Sequence, residues 1–200
     1  MTAGRPDPYN AGEHRFRFAA WCGATAARAS KNCRFPVKAG VDLIRKVDGL
    51  RAIADSLDHL PDDGYFDDAH HGWCDRMLSV AKPGIGAGFT YGVAAKLVNC
   101  YLKAMVVGER FEAPDRETTR CDHVHPPVDR VLLSELEVVE KIAGNPRAEN
   151  WKKLRKIGWS NFSEQDYRSA MLLIREKVTE DVGRPQLWQI ERYWRGHQTV

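Results

Sequence analysis

The chain has 200 residues, 43% of them hydrophobic and 28% charged, and a formal net charge of +3. At 22.7 kDa this is one ordinary domain or two small lobes sharing a cleft. The composition excludes wholesale disorder, collagen and long coiled coils, and the mild positive balance permits an anionic partner without demanding one.

Residues 1–12 carry two prolines and two glycines and are expected to form a loose arm. Glu13 to Ala27 is alanine-rich, with Phe16, Phe18 and Trp21, and reads as helix. Val41, Leu43, Ile44, Val47, Ile53, Leu57 and Leu60 mark one long helix or two short ones, with Gly49 as the natural break. Pro61 to Gly64 is a turn signal, and Phe66 to Ala81 a short helix. Lys82 to Gly88 is a glycine-rich connection leading to the strongest helical pattern, Thr90 to Val107. A polar loop is expected over Gly108 to His125. Pro126-Pro127-Val128-Asp129 then opens a helix through Ile142, which Gly144-Asn145-Pro146 stops. Trp151 to Ile157 reads as a short basic helix. Ser163, with Asp166 three positions on, caps a helix running to Val178. Gly183-Arg184-Pro185 is a turn, and Leu187 to Trp194 a last aromatic helix. Strand-like alternation is almost absent, so the expected class is all-α, with roughly eight to ten helices.

The most apolar stretch, Val93 to Val107, is broken by Lys96, Asn99 and Lys103 and is shorter than the roughly 18–20 residues of a membrane span. The N-terminal residues lack the apolar core of an export signal. No membrane partner and a cytoplasmic location are expected. Cysteines at 22, 33, 74, 100 and 121 form no C-x-x-C pair, which favours free thiols. His70, His71 and Cys74, with Cys121, His123 and His125, lack the spacing of a common zinc finger, so no metal is assigned.

Two short segments carry the chemistry. Lys96, Asn99 and Lys103 share a stripe at i, i+3, i+7 on an otherwise apolar helix. Helical spacing alone allows that stripe to face water. A buried amine, in contrast, needs a partner or must be neutral. Asp129, after two prolines and before an apolar run, is by itself a natural helix-start residue.

Taken together, Ala95-Lys96-Leu97-Val98-Asn99-Cys100 and Pro127-Val128-Asp129-Arg130-Val131 resemble the active-site blocks of the helix-hairpin-helix DNA glycosylases. The 8-oxoguanine glycosylase/lyases, including the archaeal type, are the nearest likeness. In that family a lysine early in a helix is followed by an apolar pair, a polar residue and often cysteine, and a Pro-Val-Asp or Pro-Ile-Asp triplet opens a later helix. The resemblance implies that Lys96 and Asp129 are the catalytic pair. It also implies a two-lobed helical bundle with lobes over 66–145 and over 13–65 plus 146–200, and an active cleft between them. The family's Leu-Pro-Gly-x-Gly hairpin has no close counterpart, because Pro83-Gly84-Ile85-Gly86 lies well before the lysine.

The chemistry explains the pair. A neutral lysine can attack the anomeric carbon of a damaged nucleotide and hold the product as a Schiff base. A neighbouring carboxylate can stabilise the cationic transition state and assist proton transfer. An apolar surround favours the neutral amine. Lys96 and Asp129 should therefore meet at one cavity. The target base must leave the duplex, and His125 and Trp188 are candidates to line its pocket. Gly86, Gly88 and Gly92 would let backbone approach phosphate, with Lys152 and Lys153 as further contacts. The expected activity is removal of a modified, oxidised-type purine, with abasic-site lyase activity, no cofactor and no metal. DNA or a nucleotide-like ligand is the expected partner. Two other classes stay open on sequence: an inactive nucleic-acid- or nucleotide-binding helical protein, and a defence-associated helical interaction protein.

Overall fold

Asn10 opens the first helix by accepting the Glu13 N–H on its side-chain oxygen at 2.8 Å. From there a computed structural model describes residues 10–30, 33–81, 85, 88–112 and 119–196. Helix α1 (Ala11–Ala27) is followed by α2 (Val37–Arg45) and the single turn α3 (Leu50–Ile53). Gly49 separates the latter two at φ 89°, a conformation that glycine alone adopts without strain, so the two-helix alternative holds. Then come α4 (Phe66–Ala81), α5 (Tyr91–Glu112), α6 (Arg130–Ile142), α7 (Arg147–Ile157) and α8 (Glu164–Val182). Short 3-10 turns at Trp159–Asn161 and Leu187–Tyr193 complete the described chain. No strand occurs among the described residues, and the class is all-α.

Several boundaries differ from the sequence reading. Asn10, Ala11 and Gly12 belong to the capped start of α1 rather than to an arm, and residues 1–9 lie outside the described residues. Helix α5 runs to Glu112, into the segment expected to be loop. Its neighbour at Thr119–His123 is a 3-10 turn. Helix α7 starts at Arg147 rather than Trp151, because Asn145 accepts the Arg147 N–H at 3.0 Å and Pro146 suits a helix start. The final aromatic segment winds as 3-10 rather than α. Ser163 and Asp166 form the reciprocal capping box expected of them.

Helix α5 is the axis of the core. Val93, Ala94, Leu97, Val98, Tyr101 and Leu102 are fully buried, because helices pack onto it from several sides. A Cβ on Gly23 would stand 2.7 Å from the Leu97 carbonyl, so α1 approaches α5 backbone to backbone. The Tyr101 hydroxyl donates to the Leu50 carbonyl at 2.6 Å. No helix among the described residues is long and apolar enough to cross a membrane.

Candidate active site

Lys96 has little access to water: its side chain is only 8% exposed, with Asp129 and the Trp159 ring standing beside its amine. The water-facing alternative for the stripe fails for Lys96 and for Asn99, which is fully buried. Lys103, at the far end, is half-exposed. Asp129 arrives from the other direction. Pro126, Pro127 and Val128 are buried, and Asp129 caps α6 by accepting the Leu132 N–H on Oδ1 at 3.0 Å. Its second oxygen points at the lysine, and Lys96 Nζ donates to Asp129 Oδ2 at 3.3 Å. The same oxygen accepts the Trp194 indole N–H at 2.9 Å. The carboxylate is thus oriented by a backbone donor, an indole and an ammonium.

The pair opens onto a cavity of about 930 Å³. Trp159 and Trp194 line it, with Lys96 Nζ 5.7 Å from the Trp159 ring centre. One wall comes from α1, including Phe18 and Cys22, and Cys100 lines it from α5. Burial pushes the Cys100 thiol up from its ordinary range, which leaves it a neutral, poorly nucleophilic wall. Lys103 and Glu191, paired at 2.8 Å, stand where this cavity borders a second, largely apolar pocket of about 240 Å³.

His125 and Trp188 border the smaller pocket rather than the cavity holding the lysine. Trp188 donates its indole N–H to Asp122 at 3.1 Å. Gly92 does not offer itself to phosphate. Its N–H is taken by the Phe162 carbonyl at 3.0 Å, and a Cβ there would fall 1.9 Å from the Trp159 carbonyl oxygen. The glycine serves contact between α5 and the 159–162 segment. Gly88 is a half-buried turn residue, and Gly84 and Gly86 lie outside the described residues. Lys152 pairs with Glu149 at 3.1 Å, and Lys153 borders a separate depression between α7 and α8. Neither lysine lines the cavity. Nothing in the sequence marks Trp159 or Trp194 as site residues, because only tertiary contact brings them to the pair.

Behind the site lies a buried polar cluster. His70 and His125 stand 4.4 Å apart ring to ring and connect through Tyr167 and Asn99. Among the described residues no group of three His, Cys, Asp or Glu side chains is placed to hold a metal ion. Burial lowers the proton affinity of His70 well below the ordinary imidazole range, with His125 and His71 acting the same way and Asn99 and Asp67 opposing. Burial also lowers His125, against its contact with Asp67. His125 and Arg175 together hold the Asp67 carboxyl far below its usual range.

The sign of the pH dependence follows. Both imidazoles stay neutral in the folded chain at pH values where the unfolded chain protonates them. Their contribution is complete above the ordinary imidazole value of about 6.5 and is lost as pH falls below it. Depressed Asp67 adds loss in the same direction at lower pH, through the carboxylate range. Between pH 7 and pH 5.5 the two histidines should cost about 2 kcal/mol of stability, read as a fall in the denaturant midpoint. An unchanged midpoint would show that the folded imidazoles take up protons as readily as those of the unfolded chain.

Comparison of the chain with protein-family models, curated proteins and solved structures finds no match.

Proposed function

We propose that the chain is a DNA N-glycosylase with abasic-site lyase activity, built as a two-lobed helical bundle of the helix-hairpin-helix glycosylase type. Its active cleft is the cavity at Lys96 and Asp129. The observation that carries this reading is the meeting of those two side chains, 33 positions apart in sequence, at 3.3 Å on the wall of one large cavity. The two motifs that suggested the family are thus neighbours in space.

In this scheme a flipped nucleotide enters the cavity. Lys96 Nζ, after giving its ammonium proton to solvent in the cavity, forms a bond to the anomeric carbon. The bond from that carbon to the base nitrogen breaks, and the base leaves with the electron pair and acquires a proton. Asp129 lies where positive charge develops on the sugar and stabilises it. Of the two hydrogens left on the amine, one is released as the base departs and the other passes to the ring oxygen as the sugar ring opens, giving the Schiff base. Proton abstraction from the adjacent carbon then expels the 3′ phosphate. Trp159 and Trp194 supply flat faces suited to an aromatic base, and a modified purine is the substrate class proposed.

The test is borohydride trapping of the wild-type chain against duplex and single-stranded oligonucleotides carrying oxidised purines or an abasic site. A covalent adduct on Lys96 supports the proposal. Binding without an adduct favours the inactive binding protein, and no affinity for any oligonucleotide favours an interaction protein. Asp129→Asn should slow base release roughly a hundredfold; asparagine keeps the helix cap, but loss of the charge beside the buried Lys96 should lower stability by about 1–2 kcal/mol. A base-release rate equal to wild type would remove Asp129 from the reaction.

A further inference from the structure

Asn99 sits one helical turn beyond Lys96 on α5 and is fully buried. Its side chain has three partners. Nδ2 donates to the Pro126 carbonyl at 2.9 Å and to the Tyr167 hydroxyl at 2.8 Å. Oδ1 meets His70 Nε2 at 2.7 Å. Pro126 lies three residues before Asp129. One amide therefore bridges the helix that bears the lysine and the segment that delivers the carboxylate.

The cluster fixes the direction of every proton. Both Nδ2 hydrogens of Asn99 are spent, so its Oδ1 must accept and His70 Nε2 must carry hydrogen. His70 Nδ1 is then free to accept from the Cys74 thiol, 3.8 Å away. Tyr167, having accepted from Asn99, donates to His125 Nδ1 at 3.0 Å. His125 Nε2 donates to Asp67 Oδ1 at 2.8 Å, and Arg175 holds Asp67 from outside at 2.7 Å. Reversing the Asn99 amide would set its oxygen against the Pro126 carbonyl and its nitrogen against the His70 N–H. Only one orientation satisfies all the partners, which is how a buried polar network specifies a unique geometry.

We infer that Asn99 is a positioning residue: through its bond to the Pro126 carbonyl it sets the placement of Asp129 against Lys96. This rests on the glycosylase reading for its catalytic meaning, although the placement itself is testable without DNA. Cys74, Tyr167 and the two histidines act behind Asn99 to lock its amide. Asp67 and Arg175 anchor the far end.

The experiment follows reductive methylation of Lys96 by formaldehyde and cyanoborohydride at fixed pH, with each lysine quantified by peptide mass spectrometry. Lys177 is the internal control, because it is 12% exposed and belongs to a separate ion-pair cluster with Asp181 and Glu140. Asp129→Asn sets the response of an unpaired Lys96. Asn99→Ser removes the bridge and is expected to raise the Lys96-to-Lys177 methylation ratio at least threefold, towards the Asp129→Asn value. A role in stability alone would speed both lysines together and leave the ratio unchanged, and that result overturns the inference. Asn99→Thr carries the same expectation and replaces Asn99→Ser if the latter does not fold. On abasic-site DNA, the same variant should lower the single-turnover trapping rate at least tenfold with DNA affinity within twofold of wild type. A wild-type chain that fails to trap, with the methylation ratio responding as expected, overturns the glycosylase reading and leaves the positioning role in place.

Discussion

Lys96→Gln is expected to lose borohydride trapping and strand cleavage entirely, and to lower base release by roughly a thousandfold or more, as removal of a nucleophile does. Glutamine has no amine to bond the sugar carbon, so no Schiff base can form. The variant should still fold. Asp129 keeps its contacts with the Leu132 N–H and the Trp194 indole, and the glutamine amide can donate to the same oxygen. The loss of a buried ammonium from beside a carboxylate should therefore cost about 1–2 kcal/mol, less than when the partner is left with no donor. On the glycosylase reading, backbone phosphate contacts rather than the lysine would hold the DNA, and affinity should stay within about threefold. Cleavage equal to wild type would discard the lysine mechanism. Loss of binding together with cleavage would instead show that Lys96 holds the ligand rather than attacking it.

The pair was legible in sequence because it depends on two local motifs. An amine on an apolar helix and an acid at a helix start each carry a local signal, and their order supplied the rest. What surrounds the pair was not legible. Trp194 reaches Asp129 across 65 positions, and Trp159 comes to Lys96 from a 3-10 turn. Neither contact leaves a periodic trace. The last aromatic segment is visible in the sequence, but the 3-10 winding of Leu187–Tyr193 alters which aromatics share a face, and Trp194 rather than Trp188 reaches the pair. From sequence Asn99 belongs to a polar stripe, because polarity on a helix signals solvent unless its partners are known. Here they come from α4, α8 and the Pro126 segment. The class and most helix positions followed from apolar spacing and caps. The end of α5 and the start of α7 did not: polar residues of indifferent propensity give α5 no stop signal, and α7 begins on a short local signal, the Asn145 side chain and Pro146, that apolar spacing does not register.

Gly92 separates two views of the start of α5, and Gly92→Ala decides between them. As a phosphate-binding glycine it would tolerate a methyl group with a stability gain of up to about 1 kcal/mol, the helix propensity difference, and lose DNA affinity. The packing predicts the opposite. The added Cβ would stand 1.9 Å from the Trp159 carbonyl oxygen and 2.9 Å from Phe162 Cβ. The first of these is backbone and cannot rotate away. The 159–162 segment is held there by the Gly92 N–H to the Phe162 carbonyl and by Thr90 Oγ1 to the Ser160 carbonyl at 2.8 Å, so both bonds must lengthen. Overpacking of this kind costs about 3 kcal/mol, which outweighs the propensity gain and corresponds to a fall in Tm of roughly 6–12 °C for a chain of this size. The displaced segment carries Trp159 away from Lys96, so the amine should also methylate faster in the folded variant. A Tm at or above wild type, with weakened DNA binding, would return Gly92 to the nucleic-acid surface.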